Sequence, residues 1–146
     1  MAARNEGGSV EDVVINADGG SRGNPGPAGI GAVVATVDGR VLAEIAEGIG
    51  RTTNNVAEYK AVIAALARAA ELGARRVKVR ADSKLVIEQM KGTWKVRQPH
   101  LVPLRDEARR LAGAFDRVSY EHVPRARNKA ADALANQAMD AQAARG

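Results

Sequence analysis

Apolar positions fall into short, closely spaced runs over the first third of the chain. Val13-Val14-Ile15 leads up to Asp18, residues 28–37 (AGIGAVVATV) make a second run, and residues 41–50 a third. Such Val- and Ile-rich stretches suit pleated strands. Asp38-Gly39-Arg40 reads as the turn of a hairpin between the second and third. The three are expected to form an antiparallel meander. The first strand is expected to cover 13–18 and to stop at Gly19-Gly20. That leaves Asp18 at the carboxyl end of a strand, beside a loop rich in Gly and Pro that runs to Pro27.

The spacing then changes. Val62, Leu66 and Ala69 recur at i, i+4 and i+7, which predicts a helix ending near Leu72, before Gly73. Thr52-Thr53-Asn54-Asn55 opens it, with Glu58 three places after Asn55 as in a capping box. Glu58 also lies four residues before Val62, so the packing stripe begins with an acid. Residues 76–81 read as a fourth strand that closes on Asp82-Ser83, another carboxylate at a strand end. A helix over 83–90, a short basic connection over 91–98, a helix over about 100–113 and a strand over 117–123 follow. The basic loop 124–129 leads into a last helix over about 129–141, on which Asp132 shares a face with Ala135 and Met139. The order β-β-β-α-β-α-α-β-α predicts an α/β fold, a five-stranded mixed sheet with helices on both faces. Residues 1–11 are expected to be a flexible segment, 12–141 the domain, and 142–146 a flexible tail.

Composition narrows the partners. The 146 residues suffice for one domain with a core. A formal net charge of +5, from 22 Lys and Arg against 17 Asp and Glu, suits a polyanion. There is no Cys, which excludes disulfides and thiolate metal sites and fits a reducing compartment. No secretion signal and no membrane-length apolar run is present, so a cytoplasmic, soluble protein is expected.

Against that basic background, four acids stand where packing or strand ends would put them together. The first and fourth strands are the natural central parallel pair, which sets Asp18 beside Asp82. Helix starts returning to that edge bring Glu58 and Asp132 near. Two bare carboxylates about 4 Å apart repel by roughly 4 kcal/mol at an effective dielectric near 20. Four stay ionised only with cations among them. Hard oxygen ligands suit Mg2+ or Mn2+, and two such ions suit in-line hydrolysis of a phosphodiester.

Four segments, in this order and spacing, carry a resemblance. They are residues 18–26 (DGGSRGNPG), 53–58 (TNNVAE), Asp82-Ser83, and 128–135 (NKAADALA). The chain resembles ribonuclease H of type 1 over nearly its whole length. The resemblance implies that Asp18, Glu58, Asp82 and Asp132 are metal-binding catalytic acids that hold two ions. It implies cleavage of the RNA strand of RNA–DNA hybrids, leaving 5′-phosphate and 3′-hydroxyl ends. Substrate would be held by Gly19, Gly20 and Ser83 beside the acids, and by Asn24 and Asn55 facing the minor groove, where 2′-hydroxyls mark RNA. Arg51, Thr53 and Asn54 would form a pocket for a phosphate of the DNA strand, reached also by Gln98, with Trp94 against DNA sugar.

The chain departs from many family members in two places. The stretch 91–99 is short where a longer basic helix and loop is common, which shifts substrate contact to Lys91, Lys95 and Arg97. The loop before the last acid holds Arg125 and Arg127 where a catalytic His is common, and Arg125 is expected to assist product release. His100 and His122 are expected to be structural. These features resemble archaeal and actinobacterial-type members, some of which are fused to a C-terminal phosphatase domain. A monomer is expected. A sugar kinase or actin-like ATPase, which also carries an Asp and Gly at a strand end, would need a second domain. A module that binds hybrids without cutting would lack one of the acids.

Overall fold

The glycine pair after Asp18 does not end the first strand. In the computed structural model, which describes residues 10–146, β1 (Asp12–Ser21) continues through both glycines. Its partner β2 (Gly26–Thr36) runs antiparallel, with Asp18 opposite Gly31 and Gly20 opposite Gly29. The reason is close packing. A Cβ on Gly19 would lie 2.3 Å from Ala57 O, whereas one on Gly20 would meet the Met139 side chain at 3.3 Å. Successive strand residues point to opposite faces, so Ala57 and Met139 belong to helices on opposite sides of the sheet. These glycines let two helices approach a strand that still hydrogen-bonds, a role distinct from breaking it.

The remaining elements follow in the expected order. They are β3 (Val41–Thr52), α1 (Asn54–Glu71), β4 (Arg76–Ala81), α2 (Lys84–Lys91), α3 (Val102–Ala112), β5 (Arg117–His122) and α4 (Lys129–Arg145). The sheet order is β3-β2-β1-β4-β5. β3 pairs antiparallel to β2, and β4 lies parallel to both β1 and β5. The expected five-stranded mixed sheet with helices on both faces is therefore the observed one. Its core is built from Ile15, Val34, Val62, Leu66 and Val79, all buried, together with Tyr59 of α1. Val62, Leu66 and Ala69 form the buried row of α1, as their spacing predicts.

Three local expectations are corrected. The cap of α1 is Thr53, whose Oγ1 accepts from Val56 N at 3.3 Å, and not Asn55. Glu58 is thus no capping residue, and its carboxylate is left to the site. The last helix runs to Arg145 instead of stopping at 141, so residues 142–145 are helical. Alanines favour that extension, and Gln142 Oε1 accepts from Gly50 N at 3.1 Å, docking the last turn on β3. His100 and His122 are both exposed and hold no core position. Except for Val10 and Glu11, the N-terminal segment expected to be flexible lies outside the described residues.

Candidate active site

The site grows out of one register. The parallel pairing of β1 with β4 ends at Ala17 opposite Ala81. The next residues are Asp18, still within β1, and Asp82, just past the end of β4, so two carboxylates stand side by side at the carboxyl end of that pair. In open α/β sheets that edge is where ligands bind. Glu58 arrives on the second turn of α1. Asp132 arrives in the first turn of α4, whose tight approach to β2 depends on Gly31: a Cβ there would lie 2.4 Å from Ala131 O. All four acids line one cavity of about 390 Å³.

Burial and mutual repulsion load this cavity electrostatically. Asp18 is buried, and its carboxyl is pushed up to about 8. Loss of water is the largest cause, followed by the charge of Asp82, a hydrogen bond with Asp132, and the charges of Asp132 and Glu58. Burial likewise raises Glu58 to about 7, against a hydrogen bond from Ser83 that favours its ionised form; Asp82 raises it further and Arg125 lowers it. Such carboxyls ionise near neutral pH only with positive charge close by. Arg125 supplies part of it, with Nε 3.7 Å from Asp82 Oδ2, but its side chain is 77% exposed. A set of hard carboxylate oxygens short of countercharge fits Mg2+ or Mn2+. Among the described residues no three acids already form a closed ligand set.

Two residues that sequence reading does not single out bond to the acids' side chain or backbone. Asn128 is almost fully buried. Its Nδ2 donates to Ala17 O at 2.9 Å and to Asp82 Oδ1 at 3.1 Å, and its Oδ1 accepts from Asn16 Nδ2 at 3.0 Å. An Asn before a helix reads as an N-cap, yet here it makes no side-chain cap and ties β1, β4 and α4 together. Asn136, four residues after Asp132, donates to Asp132 O at 2.9 Å and also lines the cavity. Its helical spacing from Asp132 was the available signal.

The structure sorts the expected substrate residues into three groups. Gly19, Gly20 and Asn54 line the acid cavity with Arg125, and Ser83 stands beneath it, capping α2 through Val86 N. Asn24 and Asn54 knit the Gly-rich loop to α1: Asn54 N donates to Asn24 Oδ1 at 3.0 Å, and Ser21 N donates to Asn54 Oδ1 at 2.9 Å. Thr53 and Asn55 lie on that same helix start, and Arg51 is exposed at the end of β3. Trp94 and Gln98 stand apart, lining a separate cavity of about 560 Å³ with Lys95 and Arg97. His100 and His122 are not part of the acid cavity's lining. No helix among the described residues is long and apolar enough to cross a membrane.

A mixed sheet in this order with four acids gathered at its carboxyl edge is of the ribonuclease H-like class of folds, and comparison with known proteins agrees. A reverse transcriptase-like family model matches residues 16–138. The chain is 62% identical over 132 residues to the bifunctional protein Rv2228c of Mycobacterium tuberculosis, covering 90% of this chain but 36% of that protein. The solved N-terminal RNase H domain of Rv2228c superposes with a TM-score of 0.89, over 90% of this chain and 96% of that one. Ribonuclease HI of Halobacterium salinarum is 52% identical over 123 residues, 84% of this chain and 62% of the relative. LC11-RNase H1, solved in complex with an RNA/DNA hybrid, shares 41% identity and a TM-score of 0.84, covering 88% and 97% of the two chains. This chain belongs to the ribonuclease H type 1 family. It spans about a third of the length of the mycobacterial relative and nearly two thirds of the halobacterial one.

Proposed function

We propose that the chain is an endoribonuclease that hydrolyses the RNA strand of RNA–DNA hybrids, leaving 5′-phosphate and 3′-hydroxyl ends. The observation that carries this is the convergence of Asp18, Glu58, Asp82 and Asp132 on one cavity of a basic chain. Those four would hold two Mg2+ or Mn2+ ions. When bound, such ions polarise the phosphodiester and make water a stronger nucleophile near neutral pH. The protein's part is to hold the acids in a half-dehydrated cavity and to give up the proton that burial keeps on Asp18. Asn128 fixes the orientation of Asp82, and Ser83 does the same for Glu58.

Substrate contact divides by strand. Asn24 and Asn55 would meet the RNA strand in the minor groove. Arg51, with Thr53 and Asn54 at the positive end of α1, would hold a phosphate of the DNA strand, an arrangement favoured by a helix N-terminus. The Thr53 hydroxyl is already engaged in capping, which leaves the charge of Arg51 and the helix start to carry that contact. Trp94 would pack against DNA sugar, with Gln98, Lys95 and Arg97 beside it. Arg125, exposed at the rim and near Asp82, would help release the cleaved phosphate. We infer a cytoplasmic monomer. The bifunctional description of the mycobacterial relative, of which this chain matches 36%, supports fusion to a second domain such as a phosphatase in a longer protein.

The test is cleavage of a labelled hybrid with Mg2+, with Mn2+ and with chelator, beside duplex DNA and duplex RNA of the same sequence. Cutting confined to the RNA strand of the hybrid, lost with chelator and yielding 5′-phosphate ends, is expected. Equal cutting of duplex DNA, or cutting that survives chelation, would overturn the reading.

A further inference from the structure

The connection between α2 and α3 has little packing to hold it. Of residues 91–98, only Val96 is partly buried. Its first residues hang from the end of α2: Gly92 N donates to Gln89 O at 3.1 Å, and Thr93 N and Trp94 N both donate to Glu88 O, at 3.0 and 3.2 Å. Gly92 makes this turn in the left-handed region, with φ +85°. Beyond Trp94 the support changes. Among the described residues, one hydrogen bond ties 95–97 to the body of the protein, from Gln89 Nε2 to Lys95 O at 3.4 Å.

That amide is itself held from below. Gln89 is 2% exposed, and its Oε1 accepts from the hydroxyl of Tyr59 at 2.5 Å. Tyr59 is wholly buried and adjoins Glu58 on α1. Burying an amide and a phenol costs desolvation that an apolar pair of the same size would avoid. What the polar pair adds is direction: the carboxamide can point only where both of its bonds are made. Gln89 also lines the cavity whose walls include Trp94, Lys95, Arg97 and Gln98.

We propose that Gln89, clamped by Tyr59, is a positioning residue that seats the segment carrying Trp94 and Lys95 in fixed relation to the helix carrying Glu58. The inference rests on the reading above that this segment touches the hybrid. It makes the short connection a pre-set grip in place of a longer basic element.

Trp94 is the chain's one tryptophan and is 43% exposed, so its fluorescence reports this segment alone. Tyr59→Phe and Gln89→Leu are compared with the unaltered protein for acrylamide quenching of Trp94, and for kcat and KM on a hybrid. Both substitutions should increase quenching and raise KM about tenfold, the scale of one lost buried hydrogen bond, with kcat held within about twofold. Unchanged quenching and KM, whatever happens to Tm, would mean a merely structural pair and overturn the proposal. A loss confined to kcat would also overturn it. Should Gln89→Leu not fold, Tyr59→Phe keeps the ring in place and carries the test. If the unaltered protein does not cut hybrids, the functional reading fails, whereas the quenching comparison still decides whether the clamp holds Trp94.

Discussion

The acid cavity and the basic connection are held by opposite means. The cavity is fixed by the fold itself: a parallel register delivers Asp18 and Asp82, and Gly19 and Gly31 let α1 and α4 come close enough to add Glu58 and Asp132. Asp18 is buried and the other three acids are half-buried, and repulsion opposes them. The connection is exposed, carries Lys91, Lys95 and Arg97, and hangs on a handful of hydrogen bonds. The contrast teaches that catalysis and grip are separable in this molecule. Changes at the cavity should alter turnover and stability, often in opposite directions, whereas changes at the connection should alter affinity and leave stability nearly untouched.

The sharpest break of that contrast is Asp18→Asn. Cleavage should fall about a thousandfold or more, equivalent to roughly 4 kcal/mol of transition-state stabilisation. Hybrid binding should stay within about twofold. Because the substitution removes a carboxyl that the unfolded chain ionises freely but burial and three neighbouring acids keep protonated in the folded chain, the metal-free Tm should rise by roughly 3–6 °C, the shift that about 1 kcal/mol produces in a domain of this size. Steady-state cleavage, binding by anisotropy and thermal melts check the three parts. Near-normal turnover, or a lower Tm, would remove Asp18 from its assigned place.

The glycines offer the next largest effect. Gly31→Val would force side-chain atoms into the backbone of α4, where even a Cβ finds Ala131 O at 2.4 Å and Ala135 N at 2.4 Å. A loss of about 3 kcal/mol or more is expected, since neither neighbour is a flexible chain end that can move aside. Urea denaturation measures it. A matching Lys91→Ala change in the connection should leave the denaturation midpoint where it was. Equal losses at both places would erase the distinction between a site built into the fold and one hung on its surface.

These glycines also show where the sequence could and could not be read. The strand end before Asp82, and the acid that opens the stripe of Val62 and Leu66, were legible because periodicity is a local property of the chain; the end expected at Asp18 is absent, since β1 runs on to Ser21. Gly19-Gly20 was read as a stop because local rules see only missing side chains; the helices that need the space come from residues 57 and 139, far along the chain. Thr53 and Asn55 both offer a capping oxygen, and only the backbone path decides between them. The helical end at 142–145 depends on Gln142 meeting Gly50 of another strand. Asn128 was visible only as part of the basic loop and of the segment 128–135, and its partners Asn16, Ala17 and Asp82 lie at least 46 residues away. Gln89 gave no signal, since a lone glutamine in an amphipathic helix looks solvated.

The cavity's electrostatics give a third, gentler test. Asp18 and Glu58 have folded-state values near 8 and 7, above the ordinary 3.8 and 4.5. The folded chain therefore binds more protons than the unfolded chain between pH about 4 and about 8, so stability falls as pH rises through that window. In chelator, Tm should decline across it and then level off. Mg2+ should flatten the decline by binding the folded state, and Asp18→Asn should remove much of it. A metal-free Tm that rises over the same range would mean that the acids are not crowded.

The smallest expected effect sits in the connection and shows itself only against salt. Lys95 is exposed beside Trp94 and is tied to the protein through its carbonyl, not its ammonium. If the ammonium meets a phosphate, binding releases a counterion, and log affinity falls with log salt by about one unit of slope for each such contact. Lys95→Ala should therefore lower hybrid affinity only a few-fold at moderate salt, yet make the salt slope shallower by about 1. Its Tm and its kcat on saturating hybrid should not change. Titrations of hybrid at four or five salt concentrations, with the unaltered protein alongside, resolve such a difference. Parallel lines for the two proteins would place the ammonium away from any phosphate, leaving the grip of this segment to Trp94 and Arg97, whereas a slope change accompanied by lost kcat would show that grip and catalysis are coupled after all.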